Sequence, residues 1–88
     1  MVELEIYAPG VREMDKIMLL DSELGTIPDL RFKIDSNHDI IYMEFDGEPT
    51  MTLQEIHSLF RRLSLTSRVV GSIPPELQPK SKTQRLVL

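Results

Sequence analysis

The sequence feature that most constrains the fold is a pair of alternating segments, 30–35 and 40–45, separated by four polar residues. Apolar residues occupy every second position of both segments: Leu30, Phe32 and Ile34 in the first, and Ile41, Met43 and Phe45 in the second. A period of two is typical of strands that bury one face. The connecting residues, 36–39, are of types that favour turns and hydrogen-bond their own backbone. The pattern therefore predicts a β-hairpin.

Two more strands and two helices are predicted on either side of this hairpin. Val2 to Tyr7 alternates and predicts a first strand, whereas Val11 to Leu24 changes to the period of an amphipathic helix. The predicted buried stripe of that helix consists of Val11, Met14, Ile17, Met18 and Leu24. A second helix is predicted to begin at Thr52, because Thr52 and Glu55 have the spacing of a capping box. Arg68 to Ile73 predicts a short last strand.

The resulting order of elements, β-α-β-β-α-β, is the split-βαβ or ferredoxin-like pattern. We therefore predict an α/β (α+β) two-layer sandwich with an antiparallel sheet of order 4-1-3-2 and both helices on one face. The domain is predicted to span residues 1–73. Residues 74–88 are Pro-rich and basic with little apolar content, which predicts a disordered tail.

Composition limits the classes of function that the chain can have. Its 88 residues correspond to one small domain, and a net charge of −4 argues against a nucleic-acid-binding surface. The chain contains no cysteine, which removes disulfides, thiol catalysis and Cys-based metal sites. No apolar run approaches the roughly 20 residues of a membrane helix, and the acidic first residues do not resemble a signal peptide. We expect a cytoplasmic protein with no membrane partner.

A calcium site is the first metal site that the sequence suggests. Four residues follow the spacing of a calcium-binding loop: Asp35, Asn37, Asp39 and Asp46. Such a loop needs glycine at its sixth position, where this chain has Ile40, and it prefers glutamate at its twelfth. The flanking segments also alternate like strands rather than helices. We therefore predict a polar hairpin turn and no calcium.

The remaining chemistry-bearing residues predict neither a transition-metal site nor a catalytic centre. His38 and His57 belong to different predicted elements, whereas a metal site needs three or four converging ligands, so both are predicted to be solvated. Met14, Met18 and Met43 fall on predicted core faces. The serines lack a nucleophile motif, and no glycine-rich phosphate loop is present. We predict a protein that is not an enzyme and has no cofactor.

Two ferredoxin-like families resemble this layout. The heavy-metal-associated domain is similar over roughly residues 2–73, with an Ile-Tyr strand, a Gly-containing loop and a Thr-Leu-x-Glu-Ile helix start at 52–56. Its metal motif, Cys-x-x-Cys after the first strand, is absent, so its metal function does not follow. The ACT domain, a ligand-binding regulatory module, often has Pro-Gly in that loop, as at Pro9 and Gly10. This second resemblance implies a small-molecule site at Pro9, Gly10 and Val11.

We expect function on the sheet face that the helices leave open. An apolar and aromatic strip of Tyr7, Ile40, Tyr42 and Val70 is predicted there, between charged residues. This strip would bind a protein partner or form a homodimer. A second interpretation of the same face is that cross-strand ion pairs only solvate the sheet. These pairs would join Glu44 to Arg31 or Lys33, and Glu3 or Glu5 to Arg68. The alternative function, from the ACT resemblance, is a regulatory domain with its ligand near the first strand–helix loop.

Overall fold

The computed structural model describes residues 2–77. Four strands and two α-helices follow in the predicted order: β1 Val2–Tyr7, α1 Met14–Leu24, β2 Leu30–Asp35, β3 Ile40–Phe45, α2 Leu53–Arg62 and β4 Arg68–Val69. The strand order across the sheet is β2-β3-β1-β4, and each neighbouring pair is antiparallel. This is the predicted order 4-1-3-2 from the other edge. The ferredoxin-like fold is confirmed.

The hairpin has the predicted strand bounds, and its turn is tied to the end of β1. The His38 N–H donates to the Asp35 carbonyl at 3.3 Å, and Asp39 then takes a left-handed conformation with φ +57°. Aspartate tolerates this conformation because its short polar side chain hydrogen-bonds locally. A turn followed by one left-handed residue is a common hairpin connection. The Asp39 carbonyl accepts a hydrogen bond from the Ala8 N–H at 2.8 Å.

The core lies between the inner face of the sheet and the two helices. Its buried residues are Val2, Leu4, Ile6, Ala8, Val11, Leu20, Leu24, Ile41, Met43, Phe45, Ile56, Leu59, Phe60, Leu65 and Leu77. The inward residues of β1 and β3 are all in this set, as the alternation predicts. Within residues 2–77 no polar or charged side chain is buried. Every polar side chain of the described residues is therefore at least partly exposed.

Helix α1 begins later than predicted, and its inward face keeps Ile17 and Leu24 of the predicted stripe but not the two methionines. Gly10 has φ +95°, and the turn that it opens keeps Val11 in the core but outside the helix. The helical phase is therefore set by the residues that follow. The side chains of α1 that are buried or half-buried against the core include Ile17, Leu20 and Leu24. Met14 and Met18 are 69% and 64% exposed, so their predicted place in the core is wrong.

Helix α2 begins with the predicted capping box. The Thr52 hydroxyl oxygen accepts a hydrogen bond from the Glu55 N–H at 3.1 Å, and the Glu55 carboxylate accepts one from the Thr52 N–H at 2.8 Å. These bonds satisfy two of the backbone donors that a helix start leaves unpaired. The apolar face that follows places Ile56, Leu59 and Phe60 in the core.

The end of the described chain differs from the prediction. Strand β4 contains two residues, because Gly71 adopts φ +80° and turns the chain out of the extended conformation soon afterwards. Pro75–Leu77 forms a short 3-10 turn, and Leu77 is only 5% exposed. The core thus receives a side chain from beyond residue 73, within the segment predicted as a tail. The rest of that segment, 78–88, lies outside the described residues.

Candidate functional site

The sheet face opposite the helices, here called the open face, consists of three rows of side chains that run across the strands. The strand registers place Asp35, Ile40, Tyr7 and Arg68 in the first row, Lys33, Tyr42 and Glu5 in the middle row, and Arg31, Glu44 and Glu3 in the last row. The Val70 N–H donates to the Glu5 carbonyl at 2.9 Å and extends the middle row. Neighbouring strands are about 4.8 Å apart, so adjacent members of a row are in contact range.

The predicted apolar strip is present in part as one patch. Tyr7 and Ile40 are register partners, and Tyr42 follows Ile40 on the same face of β3. Val70 lies on the far side of Glu5, which separates it from this patch. Tyr42 and Val70 are 40% and 41% exposed, whereas Tyr7 and Ile40 are half-buried. The open face therefore has an apolar centre at its first and middle rows and an isolated valine at its edge.

Arg31 supplies the ion pairs of the last row. Its guanidinium lies 3.2 Å from the Glu44 carboxylate and 3.8 Å from that of Asp46. The Arg31–Glu44 pair joins β2 to β3, as cross-strand pairing predicts. Both residues are partly exposed, so the pair contributes at most about 1 kcal/mol to stability.

Three charges of the open face have no such partner. Within residues 2–77, Glu3, Glu5 and Lys33 take part in no ion pair or side-chain hydrogen bond. Glu3 is also the register partner of Glu44, which places two carboxylates across neighbouring strands. Like charges in this arrangement are destabilising. The last and middle rows thus contain negative charge on β1 and positive charge on β2.

The predicted pairing of Arg68 with an acidic residue of β1 is wrong. Arg68 is the register partner of Tyr7, and its guanidinium carbon lies 5.4 Å from the centre of the Tyr7 ring. A cation in this position is attracted by the face of the aromatic ring. Arg68 therefore covers Tyr7 and leaves the acidic side chains of β1 uncompensated.

A shallow groove of about 550 Å³ lies over the middle and last rows. Its lining includes the side chains of both rows, together with Val70 and Ser72 at the β4 edge. Ser72 is not among the predicted site residues, although the alternation of the predicted strand from Arg68 to Ile73 already places it on the same face as Val70. The groove combines the exposed Tyr42 with charges of both signs.

The first strand–helix loop is packed against the hairpin turn. Of the predicted ligand-site residues Pro9, Gly10 and Val11, Val11 is fully buried, so its side chain is part of the core. Pro9 and Gly10 are exposed. The Arg12 guanidinium donates to the Asp39 carboxylate at 3.5 Å and to the Asn37 carbonyl at 3.4 Å.

The acidic residues of the hairpin turn already have partners within the chain. The Asp35 carboxylate accepts hydrogen bonds from the His38 ring at 2.9 Å and from the Asn37 N–H at 3.2 Å. The bond from His38 is the main cause that lowers the pKa of Asp35 below its ordinary value. Between residues 2 and 77, no group of three or more potential metal ligands converges. The acidic turn acts as a local network that orders the hairpin.

His57 is not the solvated side chain that its position on α2 predicts. Its Nδ1 atom lies 2.6 Å from the Ser67 hydroxyl, and the pair is half-buried. This hydrogen bond connects α2 to the segment that precedes β4. The sequence separation of ten residues has no periodic signal, so only the tertiary structure brings the two side chains together.

Exposed apolar residues on α1 form a second surface feature. Met14, Met18 and Leu19 are all at least 48% exposed. The methionines were predicted in the core, and Leu19 was not singled out. The spacing of Ile17, Leu20 and Leu24, at i, i+3 and i+7, is the signal that would have placed both methionines off the buried face. In the described residues, neither helix is long and apolar enough to cross a membrane.

The geometry described above defines a small α+β protein of ferredoxin-like fold with an uncovered sheet face. No protein-family model matches the chain, and no curated protein matches it. Among solved structures, the chain is similar to one described as "Crosstalk between Cu(I) and Zn(II) homeostasis", with a TM-score of 0.64 and 11% sequence identity. The alignment covers 80% of this chain and 100% of that one. At this identity the likeness shows the fold alone.

Proposed function

We propose that this chain is a small non-enzymatic interaction module that binds a protein through the open face. The observation that supports the proposal most is the groove beside Tyr42, which is uncovered by any described element and lined by charges of both signs. Exposed aromatic residues flanked by polar groups are typical of protein interfaces. The uncompensated carboxylates of Glu3 and Glu5 disfavour a phosphate-containing ligand. As the composition predicts, we place this module in the cytoplasm.

The absence of buried polar groups in residues 2–77 supports a module without catalytic activity. General acid–base catalysis uses groups whose pKa is shifted by burial or by close charges. Asp35 has a shifted pKa in the described chain, but its partner is the exposed His38 of a hairpin turn, and it does not line the groove of the open face. In the ACT-like alternative the ligand would lie near Pro9, Gly10 and Val11. Pro9 and Gly10 are exposed, but the Val11 side chain is buried in the core, which favours the interaction module.

Site-specific photo-cross-linking tests this proposal directly. A photoreactive phenylalanine analogue replaces Tyr42 at the centre of the open face, and in a matched control the same analogue replaces Leu19, which is 48% exposed on α1. In cells of the source organism, illumination is expected to produce a discrete protein adduct from position 42 and none from position 19. Equal adducts from both positions, or none from position 42, would contradict binding through the open face.

A further inference from the structure

We propose that the occupant of the open face is a second copy of this chain, docked face to face. The two copies are related by a two-fold axis that is parallel to β3 and lies midway between the two faces. The inference rests on the proposed function, because it names the partner of the same surface. Rotation about this axis places β3 over β3 and exchanges the two flanking strands, so that β2 of one copy faces β1 of the other. Each row of the open face then lies over the same row of the second copy.

The charges that flank β3 in the middle and last rows are complementary under this rotation. On the axis itself Glu44 lies over Glu44 of the second copy, and each of these carboxylates is paired at 3.2 Å with Arg31 of its own copy. In the middle row, Lys33 of one copy meets Glu5 of the second copy, because Lys33 and Glu5 flank Tyr42 on opposite sides. In the last row, Arg31 meets Glu3 of the second copy in the same way. The two-fold symmetry repeats both contacts. The arrangement therefore supplies a counter-charge to each of the unpaired side chains Glu3, Glu5 and Lys33.

The apolar residues near the axis are also self-complementary. Tyr42 of one copy lies over Tyr42 of the other, and Ile40 lies over Ile40, since both belong to β3. Face-to-face sheets pack about 10 Å apart, which leaves room for the two tyrosine rings to stack with an offset. Tyr42 is the most exposed aromatic side chain of the face, and this contact would cover it.

The size of the face predicts a weak dimer. Three strands about 4.8 Å apart and six residues with a rise of about 3.4 Å project to roughly 14 by 20 Å. The side chains add accessible area to this flat projection, but the area is still smaller than the roughly 800 Å² that each partner buries in a standard interface. Association is therefore expected to need high protein concentration and to be strongest at low ionic strength, where exposed charges are least screened.

A charge-swap experiment tests both the partner and the geometry. The molar mass of the full chain is measured by sedimentation equilibrium for the wild type, Lys33→Glu, Glu5→Lys and an equimolar mixture of the two variants. Glu48→Lys is the matched control, because Glu48 is exposed in the turn after β3 and does not line the groove. Circular dichroism establishes that each variant is folded. If either variant does not fold, Lys33→Gln and Glu5→Gln replace the pair.

The wild type and the control are expected to approach twice the monomer mass, and each single variant to dimerise at least about tenfold more weakly, because every Lys33–Glu5 contact becomes repulsive. The mixture is expected to recover dimerisation, since a Lys33→Glu copy and a Glu5→Lys copy have opposite charges at both contacts. The glutamine variants are expected to weaken the dimer less. Recovery in the mixture distinguishes an intermolecular contact from a change within one copy.

Three results would overturn the inference. A wild-type monomer at 1 mM would exclude the second copy, while an adduct of another protein at position 42 would leave the proposed function standing. Single variants that dimerise as the wild type does would place the interface elsewhere. The third result combines two observations: the single variants dissociate without recovery in the mixture, and association is also lost when glutamine replaces Lys80, Lys82 and Arg85. It would assign the basic 78–88 segment as the occupant.

Discussion

Replacement of Leu77 by alanine tests whether the core extends into the segment that composition predicts as a tail. Leu77 is 5% exposed, and its N–H donates to the Pro74 carbonyl at 2.9 Å. The substitution removes three carbons, which at about 0.8 kcal/mol per buried methylene corresponds to a transfer cost of about 2.4 kcal/mol. The residual cavity adds to this cost, but its walls can relax near the end of the described chain. We therefore expect a loss of about 2.5–3 kcal/mol, in the lower half of the usual range.

Urea denaturation followed by circular dichroism measures the change in the free energy of unfolding. For a domain of this size, the expected loss corresponds to a decrease in Tm of about 10–20 °C. Leu19→Ala is the matched control, because it removes the same atoms from a side chain that is 48% exposed on α1. The control is expected to change stability by no more than about 0.5 kcal/mol. An equally small effect of Leu77→Ala would refute the packing of Leu77 and would support a tail that begins at residue 74.

Four further predictions follow from the described contacts. Thr52→Ala removes one side of the capping box and is expected to cost about 1 kcal/mol in urea denaturation, whereas Thr52→Ser should retain most of the stability. The pKa of Asp35 is lower in the folded than in the unfolded state, so its carboxylate stabilises the fold above the ordinary carboxyl pKa, and this stabilisation is lost as the pH falls through the folded value. Asp35→Asn should therefore be less stable than the wild type at pH 7, and this difference should be smaller at pH 3. Ser67→Ala leaves the half-buried His57 without its partner and should cost about 1–2 kcal/mol, with a smaller effect for Ser67→Thr. Titration with zinc, copper(I) or calcium should produce no saturable chemical-shift changes at micromolar metal, and changes that converge on the hairpin turn would contradict this prediction.

The fold was predictable because its strongest signals are local. Alternation along β1 and β3 specifies which side chains are buried, and a one-residue shift would expose all of them. The capping box at Thr52 specifies a helix start through contacts within four residues. These elements were predicted with the bounds or first residues that the structure has. Their order then admits few topologies, since connections in such sheets are short and right-handed.

The site was less predictable, because its parts depend on distant contacts. Met14 and Met18 have the spacing of a buried stripe, but α1 packs on the core through Ile17, Leu20 and Leu24, which leaves both methionines at the surface. Val70 is separated from the tyrosine patch because of the register between β1 and β4, and this register cannot be predicted from either strand alone. The hydrogen bond of His57 to Ser67 likewise joins two segments whose approach is decided by packing.

The sequence by itself determined which side chains of each strand share a face, because successive residues of a strand must point to opposite sides of the sheet. It did not determine which charges become neighbours on the open face. That was decided by the tertiary structure, since the rows form only when β1 inserts between β3 and β4 in a particular register. Arg68 thereby covers Tyr7 rather than a carboxylate, and Glu5 and Lys33 are placed on opposite sides of Tyr42 without ion-pair partners in residues 2–77. Burial of the inner face selects that register, and the pattern of charge on the outer face follows from it.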